Sequence, residues 1–154
     1  MTPSGKITVT VASRVAHVDL IHAISDQVAA LLGFGGDEIL NLGLAVREAT
    51  INAIKHGNGL DPRKRVRVVF EFNGHGLSVA VRDRGKGFDL NAVADPTLPE
   101  NIFQSSGRGI LLMKAFVDRV EVHGEGKKGA EVCLFKGLGE AGGRTSRGGE
   151  PRAV

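Results

Sequence analysis

The sequence predicts a two-layer α+β domain, an α/β sandwich with helices packed on a sheet. Three observations predict it. Two long stretches, Val18–Leu31 and about Asp37–His56, carry apolar residues at three- and four-residue steps, as a buried helix face requires. Five shorter runs read as strands, and four of them pair across turns that contain glycine. The chain has 154 residues, about one domain and enough for a two-layer core.

Composition narrows the class. A hydrophobic fraction of 42% and a charged fraction of 24% are those of an ordinary globular chain. A net charge of +3 gives no strong signal for nucleic acid or an anionic membrane, and neither is expected as a partner. One cysteine, Cys133, excludes an internal disulfide and fits a reducing compartment. Its place in the apolar run Val132–Phe135 predicts a buried structural thiol. No apolar stretch approaches the ~18 residues that span a bilayer, and the first residues hold no signal-peptide core. The expected location is the cytoplasm.

In order, Ile7, Val9 and Val11 alternate with Thr8 and Thr10 as a strand, and Ser13 offers an N-cap to the first helix. That helix carries Val18, Ile21, Ile24, Val28 and Leu31 up to the break at Gly33–Gly36. His17 and His22 lie five apart in it, a poor spacing for one metal ion, and read as ordinary helix histidines. The second helix buries Ile39, Leu42, Val46, Ala49 and Ala53. Glu48 and Asn52, four apart, project from one face, and Lys55 and His56 extend the polar run before Gly57 and Gly59 stop the helix. A solvated edge explains each of these polar residues singly. Two glycine-rich turns further along, in a set order, give them a second explanation.

Asp61-Pro62 signals a turn. Arg65–Phe72 then alternates, Asn73-Gly74-His75-Gly76 makes a tight hairpin, and Leu77–Arg82 alternates again. The basic cluster Arg63, Lys64, Arg65 and Arg67 reads as a solvated strand face. The second hairpin strand ends in Asp83-Arg84-Gly85-Lys86-Gly87-Phe88, where alternate glycines let the backbone turn and approach a ligand closely. Residues 89–106 lack periodicity, and loops of that length in compact domains are more often functional than idle. Gly107-Arg108-Gly109 then opens a helix whose unpaired N–H groups suit a phosphate. Val117–His123 and Ala130–Phe135 complete the sheet as a hairpin. Its turn, Gly124-Glu125-Gly126-Lys127-Lys128-Gly129, matches the dinucleotide pattern G-x-G-x-x-G but lacks the following helix. Residues 137–154 lose apolar periodicity and are expected to form a disordered tail outside a domain of residues 1–136.

Three boxes carry a family resemblance. Glu48-x-x-x-Asn52-Ala53-x-Lys55-His56, Asp83-x-Gly85-x-Gly87-Phe88 and Gly107-Arg108-Gly109-x-x-Leu112-Met113 resemble the ATP-binding boxes of the Bergerat (GHKL) ATP-binding fold. Gyrase, MutL and histidine kinases share that fold. Within it the chain is most similar to the anti-sigma-factor serine/threonine kinases of the RsbW and SpoIIAB type, over residues 6–136. The resemblance implies helices on one face of a mixed, mostly antiparallel sheet. It implies ATP and Mg²⁺ as cofactors, with Asn52 the Mg²⁺ ligand and Glu48 the general base for an acceptor hydroxyl. Asp83 would accept from the adenine N6 amine, with Gly85 and Gly87 shaping that pocket. Gly107, Gly109, Arg108 and Lys55 would serve the phosphates. Arg108 stands where the wider superfamily varies.

The implied partners are an anti-sigma-factor antagonist of the STAS type, phosphorylated on Ser or Thr, and a sigma factor held inactive. A homodimer is a further expectation. Two other classes fit parts of the pattern: a nucleotide-dependent binding module with little turnover, and a detached histidine-kinase catalytic domain. The first is disfavoured by intact Glu48, the second by the lack of a dimerisation helix around His17 or His22. Larger gyrase-like ATPases need far more chain.

Overall fold

Alternation of apolar residues at every second position builds five strands, and their registers stack those residues into rows. The computed structural model describes residues 2–85, 105–124 and 129–139. The elements run β1 (Gly5–Ala12), α1 (His17–Leu32), α2 (Gly36–Asn52), one π-helical turn (Ala53–Gly57), β2 (Arg65–Asn73), β3 (Gly76–Arg82), α3 (Ser105–Phe116), β4 (Arg119–His123) and β5 (Glu131–Gly137). The strand order is β1-β2-β3-β5-β4, and every pairing among the described residues is antiparallel. β3 and β4 both run antiparallel to β5, so they share one direction, and α3 is the crossover between them.

The registers place Val9, Val68, Val81, Val132 and Val122 in one row across all five strands. The adjacent row is Ile7, Phe70, Val79, Leu134 and Val120. Both rows face the helices. Val18, Ile21, Val28 and Leu32 of α1 and Leu42, Val46 and Ala49 of α2 join Phe70, Val79 and Leu134 in a single buried core. The alternate residues of these strands, such as Arg67, Arg82 and Cys133, point to the helix-free face. Cys133 is half-buried there, and its thiol donates to Glu131 Oε1 at 3.3 Å. Burial first, then that carboxylate, pushes the thiol up to about 12, so it stays protonated and unreactive.

Several sequence expectations need correction. Ser13 does not cap α1: the N-cap is Ala16, with no side-chain cap bond. A turn at Arg14–Ala16 delays the helix, and the Ser13 hydroxyl instead donates to Lys64 O at 2.6 Å. Leu31 is 58% exposed, and Ala29 and Leu32 take the buried positions. At ~100° per residue, a step of four from Val28 stays nearer the buried face than a step of three. The α2 helix ends at Asn52, earlier than His56, because its last turn widens into the π form.

β5 also runs one residue past the expected domain boundary, and Leu138 N donates to His75 O at 2.9 Å. Gly87, the connection 89–104 and the tail from 140 onward lie outside the described residues.

Candidate functional site

Small residues on α2 and its π turn leave a space that larger ones would fill. Ala49, Ala53 and Gly57 line one wall of a cleft, and Val81, Ala130 and Val132 of the sheet side line another. Ile110 of α3, Asn52, His56 and Asp83 complete the lining, and the cleft encloses about 480 Å³, its open mouth included. A slot with apolar walls and few polar groups suits a flat ring system with a polar edge.

Asp83 supplies one of those polar groups. It follows β3 directly and is 6% exposed. Its backbone N–H donates to Ala130 O at 2.9 Å, which extends the β3–β5 ladder by one step. Its Oδ1 accepts from Gly85 N at 2.8 Å and Ala130 N at 3.1 Å. Two backbone donors on one oxygen hold the carboxylate in a fixed orientation. Its Oδ2 lies against the Cα of Gly57, where any Cβ would collide with it.

About 7 Å of helix axis separates Gly57 from Asn52, and Glu48 lies one further turn back. Both Glu48 and Asn52 are half-buried. A single point defines where they converge. A Cβ placed on Gly109 would lie 3.0 Å from Glu48 Oε2, 3.0 Å from Asn52 Nδ2 and 3.7 Å from Asn52 Oδ1. The bare backbone of Gly109 therefore lets α3 approach the carboxylate and the carboxamide and keeps a small space between them. No group of three His, Cys, Asp or Glu side chains able to hold a metal ion occurs among the described residues. The Asn52 carboxamide beside that space would offer one oxygen to Mg²⁺, which takes one or two protein oxygens and completes its shell with water and phosphate.

Comparison with known proteins bears on this arrangement. Residues 11–136 match the histidine kinase-like ATPase domain. The chain belongs to that family. Serine-protein kinase RsbW of Bacillus subtilis (strain 168) is 30% identical over 138 residues, which cover 86% of this chain and 85% of that one. An anti-sigma F factor of Anoxybacillus flavithermus (strain DSM 21510 / WK1) is 34% identical over 106 residues, 66% of this chain and 71% of the relative. The chain is thus an RsbW-type member of the histidine kinase-like ATPase domain family. The solved RsbU and RsbW domains of Rv1364c from Mycobacterium tuberculosis share its fold, with a TM-score of 0.64 over 87% of this chain at 18% identity. This chain spans 32% of that larger one.

In this RsbW-type ATPase domain, Asn52 and Asp83 line the cleft, while Glu48 meets Asn52 at Gly109. Gly85 lies beside Asp83, packed against Gly57 O so closely that a Cβ has no room. Lys55 is exposed and is not among the lining residues. The α3 helix starts at Ser105, before the glycines rather than at them. Gly107 therefore sits in the first turn, whose N–H groups are unpaired. Gly109 is the fifth helical residue, beyond those groups, and acts here through its missing side chain. Gly87 and the Arg108 side chain lie outside what is described.

Sequence reasoning missed Asn58. It is 2% exposed and binds three segments at once. Its Nδ2 donates to Ser13 Oγ at 2.8 Å and to Arg65 O at 3.2 Å, and its Oδ1 accepts from Arg84 N at 2.7 Å. An amide flanked by Gly57 and Gly59 reads as turn chemistry in sequence, and none of its three partners is local.

Proposed function

We propose that the chain is an ATP- and Mg²⁺-dependent protein serine/threonine kinase that acts as an anti-sigma factor. It phosphorylates a small antagonist of the STAS type on Ser or Thr and sequesters a sigma factor. The observation that carries this reading is the convergence of Glu48 and Asn52 on Gly109, a few helical turns from the buried Asp83 carboxylate. Relatives named serine-protein kinase RsbW and anti-sigma F factor support it. A homodimer and a cytoplasmic location belong to the same reading. Among the described residues, no helix is long and apolar enough to cross a membrane.

The proposed roles follow from chemistry. Asp83 accepts a hydrogen bond from the exocyclic amine of adenine, and Gly85 and Gly87 would shape the pocket around the ring. Apolar walls from Ala49, Ala53, Ile110 and Val132 exclude water around it. Asn52 would hold Mg²⁺ through Oδ1, and the ion would neutralise charge on the phosphates when bound. Gly107 N–H, Arg108 and Lys55 contact phosphate oxygens, while Gly109 keeps the space beside them open. Glu48 takes the proton from the acceptor hydroxyl as the hydroxyl oxygen attacks the γ-phosphorus, the bond to the β,γ-bridging oxygen breaks and ADP leaves. Phosphoryl transfer is governed mainly by positioning and charge, so a shallow site with few groups suffices.

Incubation with γ-labelled ATP and an antagonist copurified from native cells tests the whole reading. Label should appear on Ser or Thr of the antagonist. Glu48→Gln should bind ATP nearly as the parent does but transfer label ~10²–10⁴-fold more slowly. Asn52→Ala should weaken Mg²⁺-dependent ATP binding itself. Equal loss of ATP binding in both variants would refute separate roles.

A further inference from the structure

We propose that Asn58 is a positioning residue that sets base selectivity in the cleft by fixing the turn that carries Asp83. The inference rests on the reading that Asp83 meets the adenine amine. Asn58 directly follows Gly57, whose Cα abuts the Asp83 carboxylate, so adjacent residues hold one turn in two ways. Gly57 limits the turn by contact. Asn58 tethers it by a 2.7 Å hydrogen bond from Arg84 N, the amide between Asp83 and Gly85.

The other end of the Asn58 side chain is anchored away from the cleft. Its two N–H groups go to Ser13 Oγ, just past β1, and to Arg65 O, at the start of β2. Ser13 is itself held by Lys64 O, and neither Ser13 nor Arg65 lines the cleft. The amide thus transfers the rigidity of the sheet margin to the Asp83–Gly85 turn. Only a carboxamide of this length offers two donors and an acceptor in one plane. Its orientation is set by chemistry, since Arg84 N is a donor and requires the oxygen. A buried amide with every partner in place has one arrangement, which is what positioning demands.

Selectivity is where this tether registers. ATP and GTP share ribose and phosphates and differ at the ring edge that a carboxylate reads. Displacing Asp83 by a fraction of an ångström weakens the contact unique to adenine and leaves the shared contacts in place. A residue that served folding alone would lower stability and leave the ratio of the two affinities unchanged.

The test measures dissociation constants for MgATP and MgGTP on the full chain, on Asn58→Ala and on Asn58→Asp, each well below its own unfolding temperature. Asn58→Ala should reduce the preference for ATP by about tenfold or more. Asn58→Asp keeps an acceptor for Arg84 N but loses both donors that anchor the side chain to the sheet margin. It should lose the preference much as Asn58→Ala does, since an acceptor without its anchors does not hold the turn. An unchanged ratio in either variant would overturn the proposal. A parent chain without preference for ATP over GTP would instead overturn the adenine reading on which it rests. If neither variant folds, hydrogen exchange of the Arg84 amide in the parent chain decides. Protection supports the tether, and exchange at the rate of an unstructured peptide refutes it.

Discussion

At Gly57 the chain has room for a hydrogen and nothing more. A methyl there would meet the Asp83 carboxylate, and the Gly57 carbonyl already fills the space beside the Gly85 Cα. Gly57→Ala should therefore displace Asp83 by pressing on its Oδ2, without changing the chemistry of the carboxylate. The expected outcome is a loss of ATP affinity of about tenfold or more, with MgGTP affinity much less affected. Asp83→Asn should do the same by chemistry rather than by displacement, since it replaces one acceptor oxygen by a donor. Isothermal titration with both nucleotides checks the pair. If Asp83→Asn bound ATP like the parent, Asp83 would be only a turn former.

Two helices meet at Gly109, and its substitution separates stability from activity. Gly in a helix interior is less favourable than Ala by ~1 kcal/mol. Gly109→Ala should leave the melting temperature equal or higher if Glu48 and Asn52 shift by a few tenths of an ångström to admit the methyl. That methyl would occupy the space between the carboxylate and the carboxamide. Phosphoryl transfer should fall by about tenfold or more, since small misplacements at a reacting centre cost that much or more. A variant that melts higher and transfers label at the parent rate would show that the space is idle. The π turn acts at the same scale. By widening after Asn52 it ends the regular helix and delivers Gly57 and Asn58 to the Asp83 turn.

For the whole molecule, the sheet rows and the helix faces form one continuous core. Phe70, fully buried and paired with Ile7 and Val79, lies in its second row. Phe70→Ala should destabilise by ~3–5 kcal/mol in urea unfolding, the usual range for a large aromatic removed from a core. The cleft borders that core through Ala49 and Ala53, so ligand binding and folding are linked. MgATP at a hundred times its Kd should stabilise the parent by ~2.7 kcal/mol. Asp83→Asn at that same ATP concentration should gain far less. Thermal scans with and without nucleotide check both statements.

Much of this architecture was legible in the sequence because periodicity is a local property. Val66, Val68 and Phe70 announce their face by alternation, and Leu42, Val46 and Ala49 by helical spacing, whatever they later touch. Glu48, Asn52 and Asp83 could be named as candidates, from the four-residue step, the glycine turn after Asp83 and the resemblance those motifs carry. Strand order, the start of α3 and the exposure of Leu31 were not, because they depend on which segments pack together. Ser13 and Asn58 show the limit most clearly. Forty-five positions apart, they form one hydrogen bond, and a third segment at Arg84 completes the network. A hydroxyl before a helix signals a cap, and an amide between glycines signals a turn, as long as only neighbours are considered. Burial decided otherwise: enclosed polar groups must find partners wherever the fold brings them, and only the tertiary structure specifies where that is.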